Sequence, residues 1–138
     1  MKRRMIFSLA LVLTIPPVVS ADEFLVPAGK WQSTVTTTNS FMPTPMTRTH
    51  TDCRTETRFD PAVMMKDAED CQLTEKDVDG NVLTFTMVCR VEEGNLTGKG
   101  RYELKDDRLE GSMNMKMDME GQSMDMKMVF NSQRLGDC

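Results

Sequence analysis

Half of the chain's 14 methionines stand in one short run, MNMKMDMEGQSMDMKM, at positions 113, 115, 117, 119, 124, 126 and 128. A thioether sulfur is a soft donor that selects Cu(I) or Ag(I) over harder ions. Spacing of i, i+2 with cross-strand neighbours would gather several sulfurs around one ion, and the candidates are Met115, Met117, Met126 and Met128. The run contains no His or Cys to anchor such a metal. The same side chains suit two other uses. Met is a flexible apolar filler that packs well on aromatics such as Phe85, Tyr102 and Phe130, and Met-rich faces bind adaptable partners. Exposed Met also buffers oxidants through its reversible sulfoxide. Core packing is the plainest of these readings.

Other chemistry is sparse. The one histidine, His50, lies among Arg48, Asp52 and Arg54, with no nearby Ser or Cys spaced to form a nucleophile–base pair. Acidic pairs such as Glu92-Glu93 and Asp106-Asp107 fall in turns, where such residues are ordinary. We therefore expect no catalytic residues, no cofactor and no enzyme. Four cysteines, Cys53, Cys71, Cys89 and Cys138, fit two disulfides better than a thiolate zinc site, which needs tighter spacing.

The elements that carry these residues follow from alternation. Strict apolar–polar alternation is the signature of a half-buried strand, and two such runs broken by Gly121-Gln122 read as a hairpin. With that turn Met119 faces Met124, Met117 faces Met126, Met115 faces Met128 and Met113 faces Phe130. On the polar side Lys116 then faces Lys127 and Asp118 faces Asp125, an unfavourable pairing relieved only along the diagonals.

Upstream, Trp31–Thr38 has strand composition. Residues 39–46 (NSFMPTPM) read as a loop, because Pro43 and Pro45 remove ladder donors. Its Phe41, Met42 and Met46 are candidates for the mouth of a ligand pocket, with Phe85 and Tyr102 inside. Thr47–Phe59 alternates again, with Thr47, Thr49, Thr51, Cys53, Thr55, Thr57 and Phe59 on one side and Arg48, His50, Asp52, Arg54, Glu56 and Arg58 towards water. A short helix near 61–69 is capped by Asp60 with Pro61 at its first position.

Asp79-Gly80-Asn81 reads as a three-residue hairpin loop, and that register sets Cys71 opposite Cys89, leaving Cys53 with Cys138. Cys53–Cys71 with Cys89–Cys138 is the rival pairing. The inward set Leu83, Phe85, Met87, Cys89 and Val91 continues in phase through Leu96, Gly98, Gly100, Tyr102 and Leu104 to the Met run. The fold expected is all-β: an antiparallel meander of about seven strands, curled into an incomplete barrel or two-layer sandwich.

The N-terminus reads as a Sec signal peptide. MKRR precedes an apolar run interrupted by Pro16-Pro17, with Val19 and Ala21 at the cleavage positions. Cleavage after Ala21 leaves a single exported domain, 22–138, with no membrane span. Loss of Lys2, Arg3 and Arg4 leaves 14 basic against 21 acidic residues, a net charge of −7. So acidic a chain is a poor ligand for nucleic acid.

PAGKW after the leader, the Met/Pro-rich segment, cysteines at 53, 71 and 89, LTGKGRYEL, the Met-x-Met hairpin and the terminal RLGDC together resemble the domain of unknown function 3617 family of exported bacterial proteins. The resemblance spans essentially the whole mature chain. It implies a periplasmic or secreted Gram-negative protein and supplies no activity. The expectation is a non-enzymatic β domain binding a small apolar ligand or a protein partner through its Met-rich face. The alternative is a periplasmic Cu(I)/Ag(I)-binding or oxidation-buffering protein.

Overall fold

The computed structural model describes residues 23–66 and 70–138, so the leader and positions 67–69 of the expected helix lie outside the described residues. The chain forms β1 (Phe24–Leu25), β2 (Gly29–Asn39), β3 (Met42–Arg54), β4 (Arg58–Phe59), α1 (Pro61–Met64), β5 (Cys71–Asp79), β6 (Val82–Val91), β7 (Gly94–Lys105), β8 (Arg108–Met119) and β9 (Gln122–Gly136). Seven strands make one antiparallel sheet in the order β3-β2-β9-β8-β7-β6-β5, which is not closed into a barrel. β1 and β4 pair separately, Phe24 opposite Phe59.

The all-β expectation holds, but the order is not the sequence order of a simple meander. β5 to β9 run as consecutive hairpins, and the N-terminal hairpin β2–β3 then adds to the free side of β9. β3 and β5 are therefore opposite edges of the sheet. The chain between them, described at residues 55–66 and 70, must cross from one edge to the other. It does so over the inner face, where Phe59 packs on Phe24 and Tyr102, with ring centroids 6.1 and 4.9 Å away. α1 is started by Asp60, whose carboxylate accepts from Ala62 N–H at 3.0 Å and lies 3.7 Å from Lys76 on β5. This crossing strap and the lead-in strand form the second layer.

Three local expectations are corrected. Residues 42–46 are strand, not loop. Pro43 and Pro45 are tolerated because β3 is an edge, and being two apart they remove donors on the same side of the strand. The 47–59 strand ends at Arg54, and its two sides are reversed. Val35 pairs with both Phe130 and Arg48, and Trp31 pairs with Asp52. Directly opposed residues share a face, so Arg48, His50 and Asp52 lie on the inner side and Thr47, Thr49, Thr51 and Cys53 on the outer. From Met42 to Cys53 the strand is exposed on both sides, so alternation there records no burial.

The Met hairpin also shifts. Its turn is Glu120-Gly121, with Gly121 at φ +78°, so Met117 faces Met124, Met115 faces Met126, Met113 faces Met128 and Gly111 faces Phe130. Lys116 now faces Asp125 and Asn114 faces Lys127. The like-charge pairs are gone, which at roughly 0.2–1 kcal/mol per cross-strand pair favours this register. β8, the first strand of this hairpin, is the central strand of the sheet.

The turn before β6 is tighter than expected, with Asp79 opposite Val82. An extra residue at Thr74 then restores the register in which Cys71 faces Cys89.

The core sits under the strap: Phe24, Val26, Trp31, Leu83, Phe85, Tyr102, Leu109 and Met113 are buried. Burial of Tyr102 pushes its phenol up to about 12 from 10.0. The unfolded chain ionises first, so this contribution is complete below pH 10 and fades as pH rises from 10 to 12. The loss is on the order of 2–3 kcal/mol. Tyr102 is the single tyrosine, so phenolate absorbance reads it directly. The native protein should titrate near 12, and a native titration near 10 would contradict its burial.

Candidate functional site

The strap covers only the part of the inner face nearest Trp31, Leu109, Tyr102 and Leu83. From beneath its margin outward the inner face runs as rows of cross-strand neighbours rich in sulfur. One row runs Met46, Thr37, Met128, Met113, Gly100 and Phe85. The next runs Met42, Asn39, Met126, Met115, Gly98, Met87 and Leu73. A third joins Met124, Met117, Leu96 and the Cys71–Cys89 pair.

Burial falls steadily along the hairpin. Met113 is 7% exposed, Met115, Met117, Met124, Met126 and Met128 are half-buried, and Met119 is 38% exposed. Sequence logic posed core and surface as alternatives. One alternating strand runs from beneath the strap to beyond it, so the run is both.

Glycines shape this surface. A methyl on Gly100 would overlap the Phe85 ring and one on Gly111 the Tyr102 ring, so each aromatic lies across the neighbouring strand. At Gly98 an added methyl would stand 2.9 Å from Cε of Met87, so the Met87 side chain lies there in the same way.

Where α1 meets the sheet a cavity of about 350 Å³ opens, lined by Pro61 and Met65 from the strap and by Phe85, Met87, Arg90, Val91, Leu96 and Met113 from the sheet. The Cys71–Cys89 disulfide stands in its wall. Leu96 and Met113 pair directly with Met117 and Met128, so the cavity continues into the open Met rows.

The candidate residues are not brought to one place. Phe85 reaches the cavity. Tyr102 is buried beside it in the aromatic cluster, stacked on Phe85 at 6.2 Å and tilted on Phe130 at 5.5 Å. Met42 and Met46 lie at the far edge of the Met rows. Phe41, 65% exposed at the tip of the β2–β3 hairpin, is away from the cavity, so residues 39–46 do not roof it.

Met115, Met117 and Met126 adjoin as expected, but their fourth neighbour is Met124; Met128 pairs with the buried Met113. Pro61, Met65, Met87 and Leu96 were missed as lining residues. The available signal was Gly98 opposite both Met87 and Met115, a gap that large side chains must fill.

Two disulfides link Cys53 to Cys138 and Cys71 to Cys89. His50 is exposed at the edge, opposite Ser33. Arg54 lies with its guanidinium 5.4 Å from the Phe59 ring centroid and donates to the Arg58 carbonyl. Among the described residues no helix is long and apolar enough to cross a membrane. A family model described as a protein of unknown function (DUF3617) matches residues 26–138. No curated protein and no solved structure matches the chain.

Proposed function

We propose that this chain, which belongs to the DUF3617 family of proteins of unknown function, is an exported binding domain for a small apolar ligand. The ligand sits in the cavity under α1 and lies along the open Met rows. The observation that carries this reading is the half-covered inner face, on which five half-buried methionines adjoin an apolar cavity of about 350 Å³. Contiguous uncovered apolar surface of this kind marks binding, and Met adapts to ligands of varied shape. Export is supported by the two disulfides, which persist in oxidising compartments. The chemistry on this face is adhesive rather than catalytic.

Titration with an apolar fluorescent probe such as anilinonaphthalene sulfonate tests the reading. Saturable binding is expected, weakened at least about tenfold by Met117→Asp, a half-buried site away from the strap. A protein that does not bind the probe, or a variant that binds equally well, overturns it.

One observation favours a second reading, Cu(I) or Ag(I) coordination. The register sets Met115 opposite Met126 and Met117 opposite Met124, two adjacent facing pairs of half-buried thioethers. Changing all four to Leu separates the readings. Apolar binding should survive because Leu keeps the surface apolar, whereas Ag(I) binding, followed by isothermal titration calorimetry, should vanish. If Ag(I) binding survives in the Leu variant, these thioethers are not its ligands.

A further inference from the structure

We infer that the protein forms a twofold-symmetric dimer by pairing β3 with β3 of a second copy, antiparallel, with His50 opposite its own counterpart. β3 is an open edge exposed on both sides from Met42 to Cys53. The hydroxyls of Thr34 and Thr49 meet at 3.0 Å across β2 and β3, and those of Thr36 and Thr47 at 3.2 Å. Such contacts suit the close, non-hydrogen-bonded pairs of an antiparallel ladder. The main-chain N–H and C=O groups of Thr47 and Thr49 therefore point to the free edge, as do those of Thr51 and Cys53 by alternation.

Charge selects both the partner and the register. Along the inner side the edge reads Arg48, His50, Asp52, and the ion pairs among the described residues use none of the three. Centring the twofold on His50 sets Arg48 opposite Asp52 of the other copy, twice, and Thr49 opposite Thr51 on the outer side. Centring it on Arg48 or Asp52 opposes identical charges, and centring it on Thr51 opposes Arg48 to Arg54. The favoured register pairs Met46 to Arg54 with itself, about eight main-chain hydrogen bonds. It also leaves Pro43 and Pro45 beyond the end of the partner strand, where their missing donors are not needed.

The other edge, β5, is interrupted by the bulge at Thr74 and turns Lys76 to the inner side, features that discourage edge pairing. Because opposed residues share a face, the dimer would be one continuous sheet with both Met surfaces on the same side.

Sedimentation equilibrium of the purified protein at low salt tests this. The wild type should be dimeric. Arg48→Asp and Asp52→Arg should each weaken dimerisation at least about tenfold, since each opposes like charges twice. The double variant Arg48→Asp/Asp52→Arg restores complementarity and should dimerise again. Far-UV circular dichroism checks that each variant is folded, which these exposed sites permit. A monomeric wild type, single variants that dimerise unchanged, or a double variant that stays monomeric overturns the proposal.

Discussion

Replacing Cys53 and Cys138 together by Ser should lower stability by about 4–5 kcal/mol, more than replacing Cys71 and Cys89, at about 3 kcal/mol. The difference follows from the lengths of chain that the two bonds close. Cys53 and Cys138 are 85 residues apart, Cys71 and Cys89 only 18. A longer loop loses more freedom in the unfolded ensemble when it is closed, so the long-range bond stabilises the native state more.

Position adds to length. The N-terminal hairpin joins the sheet through β2 on β9. Cys53 on β3 and Cys138 just beyond β9 span that joint, with Lys30 of β2 opposite both Cys53 and Gly136. By contrast Cys71–Cys89 reinforces two strands already held together by a two-residue turn. Urea unfolding of both paired variants, each leaving no odd thiol from the bond removed, measures the two losses. Equal losses, or a larger loss at Cys71–Cys89, would show that loop closure is not the dominant contribution.

That joint also marks where sequence reasoning stopped. The β7–β8 hairpin was legible in register and β6–β7 in face, because buried residues alternate on both strands and acidic or Gly-containing turns separate them. Leu104 faces Leu109 and Met113 faces Gly100, as alternation implied. In β6–β7 a turn around Glu93-Gly94 implies the right face, but partners two residues away from the observed Leu83–Tyr102 pairing. The pairing of β2 with β9 was not legible. The two strands are about a hundred residues apart, and a Thr-rich strand carries little to name its neighbour.

The Met hairpin was legible in face but not in partner. A two-residue slip leaves every side chain on the same side, so hydrophobic pattern could not detect it. Charge could: the opposed lysines and aspartates in the expected register were the warning. The extent of burial was hidden for a different reason. What covers the sheet is the strap, whose Phe59 and Pro61 are ordinary in sequence and gain their role only by crossing between edges.

The aromatic cluster gives the second large effect. Tyr102 touches Phe59, Phe85 and Phe130, with ring centroids 4.9, 6.2 and 5.5 Å away, and its ring occupies the space where a side chain at Gly111 would stand. Tyr102→Ala should cost about 3–5 kcal/mol, as deletion of a buried ring does. Gly111→Ala should cost about 1–3 kcal/mol by overpacking, because the added methyl overlaps the ring and the cluster behind leaves it little room to retreat.

The two substitutions should not add. Once the ring is gone the methyl has space, so Gly111→Ala in the Tyr102→Ala background should cost less than about 1 kcal/mol. Retention of the full cost would mean that Gly111 is needed for its backbone. The absence of a positive φ at that position argues against that account. Urea unfolding of the four proteins in the cycle measures the coupling. It also separates a glycine kept for an aromatic neighbour from one kept for a turn, such as Gly121 at φ +78° with open space around it.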